Sequence, residues 1–260
     1  MGQSATTSSV KLEVLDDGAF WRVALATPKS NILDAAKIAE LQRVFERARG
    51  DAALKGLVIE GEGPHFSFGA SIAEHLPVHC RAMLASLHAM TKALLASDVV
   101  CVAAVRGQCL GAGLELVALC QRVFVAEDAK LGQPEIVLGV FAPVASVALP
   151  ERIGRPAAED LLLTGRTLNA AEALACGLAD AVAADPGGAA VHWLRQNFAL
   201  KSSSSLRFAV RAARAGFVER YGRELERLER LYLDELMRTH DAVEGLTAFL
   251  EKRAPNWSGS

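Results

Sequence analysis

Two glutamates carry the chemistry this sequence could perform. Glu115 stands between Leu114 and Leu116, with Val117 next; Glu135 follows Pro134 and precedes Ile136 and Val137. Taken alone, each is either a poorly placed surface residue or a carboxylate held in a pocket. Brought together, two such groups form an acid–base pair that moves one proton off a nucleophile and another onto a substrate atom. Each sits in a short segment rich in small residues: Arg106-Gly107-Gln108-Cys109-Leu110-Gly111-Ala112-Gly113-Leu114-Glu115-Leu116 and Leu131-Gly132-Gln133-Pro134-Glu135-Ile136. A third segment of the same kind is His65-Phe66-Ser67-Phe68-Gly69-Ala70-Ser71-Ile72. In the Arg106 segment a strand runs into a glycine turn and then a helix. Such a turn exposes backbone N–H groups at a helix N-terminus, where they favour a developing negative charge. A Gly-Ala-Gly turn by itself is more often tight packing.

Other chemistries find little to build on. The six histidines read as core or surface residues, and no metal is expected. No G-x-S-x-G elbow is present for a serine hydrolase. Gly61 to Gly63 does not complete a dinucleotide fingerprint. The five cysteines are odd in number and show no C-x-x-C pair, so they read as buried reduced thiols of a cytoplasmic protein. Lys and Arg total 28 against 30 Asp and Glu, a net charge of −2. That balance gives no general attraction to nucleic acid or anionic membrane. Apolar runs such as Val99 to Val105 fall far short of the roughly 20 residues a membrane helix needs. Residues 1–9 are polar and small, without a signal pattern, and read as a flexible tail.

The elements that must position the glutamates alternate. Leu12 to Leu15 and Trp21 to Ala26 read as a hairpin around Asp16-Asp17-Gly18. Asp34 offers an N-cap to a helix marked by Ile38, Leu41, Val44 and Phe45, which Gly50 ends. Strands are expected at Leu57 to Glu60, Val99 to Val105 and Val123 to Ala126, with a helix from Leu114 to Cys120. This alternation predicts an α/β architecture with parallel pairing. From Ala157 onward helical periodicity dominates. Lys201 to Ser205 reads as a linker and helix cap, and Arg220 to Arg238 as a charge-laced amphipathic helix covering a partner.

The three small-residue segments together resemble the signature of the crotonase superfamily, the enoyl-CoA hydratases and isomerases. The resemblance runs from about Val10 to Trp257. It implies a spiral of repeated strand-strand-helix units over residues 10–200, and a C-terminal helical region, 201–260, that builds a homotrimer or a dimer of trimers. It places an oxyanion hole on the backbone N–H groups of Ala70 and Ala112, and the acid–base pair on Glu115 and Glu135. Glu135 is expected to deliver a proton to carbon and Glu115 to hold and activate water. Phe68, Ser71, Ile72 and Gly111 are expected along the coenzyme A handle, Phe141, Pro143 and Val144 against the acyl group. Phe249 and Lys252 are expected to reach a coenzyme A, that of their own chain or a neighbour's. No cofactor is implied, because coenzyme A is part of the substrate, and no nucleic acid or membrane partner.

Two departures narrow the substrate. Linear-chain hydratases of the family usually carry aspartate where this chain has Ser71, and a glycine-rich stretch where it has Gly139-Val140-Phe141-Ala142-Pro143-Val144-Ala145-Ser146-Val147. These runs, with Pro28 to Asp34, resemble a subgroup that hydrates the ring diene made by reduction of benzoyl-CoA. The alternatives are a short-chain enoyl-CoA hydratase or isomerase of fatty-acid oxidation, and a non-catalytic acyl-CoA-binding relative. Two retained glutamates speak against both the isomerase and the non-catalytic form.

Overall fold

The computed structural model describes residues 8–27 and 29–260; most of the expected tail, and Pro28, lie outside them. β1 (Val10–Leu15) and β2 (Phe20–Leu25) form the expected antiparallel hairpin. Asp16 and Asp17 take positive φ in its turn, a conformation that aspartate tolerates better than most residues. α1 (Ala35–Gly50) starts on Asp34, whose side chain accepts the Lys37 amide at 2.9 Å. Then follow β3 (Gly56–Gly61), α2 (Cys80–Leu95), β4 (Val100–Val105), β5 (Gln108–Leu110), α3 (Ala112–Ala118), β6 (Arg122–Val125) and β7 (Lys130–Gly132). A 3-10 turn, Pro134–Leu138, leads into α4 (Pro143–Ile153) and α5 (Arg155–Thr164). β8 (Thr167–Asn169), α6 (Ala170–Ala175), β9 (Ala181–Val182), α7 (Pro186–Phe198), α8 (Ser203–Arg230) and α9 (His240–Leu250) complete the order.

The large sheet runs β1-β2-β3-β4-β6-β9, parallel from β2 onward. A small sheet runs β5-β7-β8, and a single parallel bridge from Ser67 to Cys109 extends it by one position. The repeat is visible here. After β3 the chain touches the small sheet at Ser67 and enters α2; after β4 it forms β5 and enters α3; after β6 it forms β7 and proceeds to α4. Each turn of the spiral is therefore long strand, short strand, helix. β4 is buried along its whole length, as expected of a parallel strand covered on both faces.

The sequence pattern passes over α2, although its Met83, Leu84, Leu87, Met90 and Leu94 are buried at helical spacing. No side-chain cap marks its start. The C-terminal helices fold back onto their own chain. Tyr221 and Leu225 of α8 enter the main core, while Tyr232, Met237, Ala242 and Leu246 pack with Cys80, Met83 and Leu84 of α2. Among the described residues no helix is long and apolar enough to cross a membrane. Cys80, Cys101, Cys109 and Cys120 are buried and Cys176 is partly so, all free.

Candidate active site

The site forms where successive turns of the spiral leave the small sheet for their helices. In the second turn, buried Asn31 fixes the loop. Its amide donates to the Glu62 and His65 carbonyls at 3.0 and 2.9 Å, and its Oδ1 accepts the Thr27 amide. Ser67 Oγ donates to the Asn31 carbonyl and accepts the Gly69 amide. Leu33 then donates to the Gly69 carbonyl at 2.9 Å, which pins Ala70.

In the third turn, Leu110 donates to the Ser67 carbonyl and Gly111 to the Gly132 carbonyl. Gly111 has φ 53° and ψ −127°, a combination open to glycine and closed to residues with a Cβ. It reverses the chain so that Ala112 opens α3, and the first amide of a helix has no acceptor within it. A Cβ built on Gly69 would lie 3.5 Å from the Ala112 nitrogen and 3.0 Å from the Leu110 carbonyl. The Ala70 and Ala112 turns thus face each other across a narrow gap.

One helical turn further on, Glu115 is 3% exposed. Its Oε1 accepts the Ala145 amide at 2.9 Å, at the start of α4. Burial pushes its carboxyl up to about 7, against the pull of the Ala145 and Val144 amides. Glu135 comes from the 3-10 turn of the fourth repeat. Its Oε2 is buried and has no partner, and a Cβ on Gly111 would stand 2.6 Å from its Oε1. Burial first, and then the charge of Glu115, push the Glu135 carboxyl up to about 8.

Both carboxyls line one cavity that opens to the surface. Of the residues singled out in the sequence, Phe68, Ala70, Ile72, Gly111, Ala112, Glu115, Glu135, Phe141 and Pro143 line it. Ser71 does not; its carbonyl instead bonds His75 Nδ1 at 2.8 Å. Val144 is fully buried in the core. Phe249 is 54% exposed near the end of α9, and Lys252, two residues beyond that helix, is exposed with φ 56°; neither lines the cavity of its own chain.

The sequence reading missed His75, Leu84, Leu87 and Tyr232, which also line the cavity. Burial holds the His75 imidazolium down, favouring the neutral ring. His75 and His79 do stand four residues apart, a spacing used by metal-binding pairs. Among the described residues, however, no group of three or more His, Cys, Asp or Glu gathers at one point. The remaining wall is apolar: Leu84, Leu87, Leu138, Val140, Phe141 and Pro143. The arrangement sets two carboxyls of raised proton affinity in one largely apolar pocket, beside the turns that carry the Ala70 and Ala112 amides.

Comparison with known proteins agrees with this geometry. The family model "Enoyl-CoA hydratase/isomerase" matches residues 17–260. The cyclohexa-1,5-dienecarbonyl-CoA hydratase of Thauera aromatica is 51% identical over 254 residues, 98% of each chain. A Bacillus subtilis (strain 168) protein named "Probable enoyl-CoA hydratase" is 32% identical, covering 91% of this chain and 94% of its own. Among solved structures, an enoyl-CoA hydratase from Mycobacterium avium subsp. paratuberculosis K-10 superposes with a TM-score of 0.83 at 28% identity, over 96% of this chain and 98% of that one. A match of this length, joined to half-identity over the whole sequence, settles the kinship: the chain belongs to the enoyl-CoA hydratase/isomerase family, which implies an acyl-CoA thioester as its substrate.

Proposed function

We propose that this protein hydrates a conjugated acyl-CoA thioester whose acyl group is the cyclohexa-1,5-diene ring, giving a hydroxycyclohexene-carboxyl-CoA in anaerobic benzoyl-CoA breakdown. The observation that carries the reading is the pair of carboxyls, Glu115 and Glu135, lining one cavity in a chain half-identical to a cyclohexa-1,5-dienecarbonyl-CoA hydratase.

The thioester oxygen accepts from the Ala70 and Ala112 amides. Glu115, held as an anion by the α4 amides, takes a proton from water as the oxygen bonds to the ring. The π electrons shift through the conjugated system to the thioester oxygen, where preorganised N–H donors are worth most; losing one typically costs about 10²–10³ in rate. Glu135, with its carboxyl raised furthest, delivers its proton to carbon as the enolate collapses. Atoms balance with water alone, and coenzyme A serves as the substrate's handle rather than as a cofactor. Phe68, Ile72 and Gly111 border that handle, while Phe141 and Pro143 wall the ring.

A homotrimer or a dimer of trimers in the cytoplasm completes the reading. Exposed apolar residues such as Leu163, Phe208, Phe249 and Trp257 support further burial in an assembly, where Phe249 and Lys252 meet a neighbour's coenzyme A. The test is to supply the cyclic dienoyl-CoA and crotonyl-CoA separately and follow loss of conjugated absorbance. Faster work on the linear thioester returns the protein to the ordinary hydratases, and no reaction with either leaves an acyl-CoA binder.

A further inference from the structure

Tyr232 is brought to the cavity by a break in a helix. α8 ends at Arg230, and Leu231 to Glu235 form one π turn, an irregularity frequent at functional sites. The ring is 1% exposed and meets Phe141 edge-on at 5.3 Å. It lines the same cavity as Glu115 and Glu135. Its hydroxyl oxygen is buried and has no partner in the chain. Buried hydroxyls are normally hydrogen-bonded, and an exception calls for a ligand or a function.

The chemistry of the pocket narrows what that partner is. Burial, the Cys80 thiol and the charges of both glutamates raise the phenol, so it remains an O–H donor at working pH. The acyl wall around it is otherwise apolar. On the acyl group of the proposed substrate the sole strong hydrogen-bond acceptor is the thioester oxygen, which the two backbone amides take. Hydration creates one further acceptor on the acyl group: the oxygen that water adds.

We infer that the Tyr232 hydroxyl donates a hydrogen bond to that added oxygen, anchoring the hydroxyl of the product and of the transition state that leads to it. The inference rests on the hydratase reading above. It makes Tyr232 the residue that distinguishes hydroxylated from unhydroxylated ligand, a role that removal of a single oxygen atom can isolate.

The test is Tyr232→Phe, assayed in both directions with the cyclic dienoyl thioester and its hydroxylated product. Hydration should show kcat lowered roughly three- to tenfold, the worth of one neutral hydrogen bond, with KM for the diene unchanged. Dehydration should show KM for the hydroxy thioester raised by the same factor, with kcat unchanged, as the fixed overall equilibrium requires. Tm should hold or rise, because the hydroxyl has no internal partner to lose. Equal changes in both KM values, unchanged kinetics, or a Tm lowered by several degrees would overturn the inference while the wild type still hydrates the diene. A wild type inactive on both thioesters would instead sink the hydratase reading, and this inference with it.

Discussion

The Ala145 amide donates to Glu115 Oε1 at 2.9 Å. No such donor reaches Glu135 Oε2, which is buried without a partner. That difference, together with the charge of Glu115 acting on Glu135, separates two chemically identical side chains. A hydrogen bond to the anion favours ionisation, while burial alone opposes it. The two therefore sit at about 7 and about 8: near neutrality Glu115 is the readier anion and Glu135 the readier acid. Sequence adjacency gives no hint of this, since both segments are equally apolar.

Replacing either carboxyl by its amide should stop hydration and leave the fold intact. Glu135→Gln keeps the shape and removes the transferable proton, so kcat should fall by about 10²–10⁴ or more. Glu115→Gln still offers an oxygen to Ala145 but accepts no proton from water, and should lose a comparable factor. Turnover of the dienoyl thioester, beside an unchanged circular dichroism spectrum, decides it. Near-normal turnover in either variant rules out a two-carboxylate mechanism.

The pH profile of kcat/KM should be a narrow bell. The active form carries one proton, on Glu135. Activity should rise as pH climbs through about 7, where Glu115 ionises, and decline through about 8, where Glu135 does. The limbs belong to the coupled pair rather than to single residues. A flat profile from pH 6 to 9 would contradict the assignment.

Stability should respond with a definite sign. Both carboxyls are raised in the folded state from an ordinary 4.5, so the folded chain holds protons that the unfolded chain has released. Their contribution is fully present below about pH 4.5 and is lost as pH rises through 7 and 8. Glu135→Gln removes that residue's share of the dependence and leaves the share of Glu115. It should raise Tm over wild type by a few degrees at pH 9, with the gap closing toward pH 4.5; calorimetry across that range is the check.

Gly111→Ala should be almost inactive. The added methyl would stand 2.6 Å from Glu135 Oε1 at a backbone φ of 53°, so either the turn or the carboxylate must move. A displacement near 1 Å at the reacting groups costs about 10² in rate. A crystal structure of the variant should show the Glu135 side chain shifted, and an unchanged kcat would show that its position is not critical.

Phe141 and Pro143 line the cavity beside Glu135 and Glu115, and they make its wall stiff. One methylene of misfit in an apolar pocket is worth about 1–3 kcal/mol, or 10–200-fold. The cyclic thioester should be preferred to crotonyl-CoA by at least that range. Replacing both residues with glycine should narrow the ratio of specificity constants, and an unchanged ratio would place the selectivity elsewhere.

Much of this was legible in the residues because local rules agreed with global ones. The hairpin, α1, β3, β4 and β6 carry clear periodicity or caps, and the Gly111 turn reads correctly as a strand-to-helix junction. The strands of the small sheet escaped because three residues cannot display a period. α2 escaped because its start lacks a capping side chain. With it went Leu84 and Leu87, and the role of its neighbour Tyr232, whose place in the cavity depends on a C-terminal segment packing against that helix. Tertiary contact put these residues in the pocket, and nothing within a short window of sequence records it.

The cavity's lining reaches from Phe68 to Tyr232, and this span bears on how the protein is made. A nascent chain emerging from the ribosome has both glutamates long before it has the wall that closes over them. Until α8 has turned back and the π turn has docked, the cavity lacks the wall that Tyr232 supplies. Arrival of the last helices therefore both buries an apolar cluster and completes the wall of the cavity.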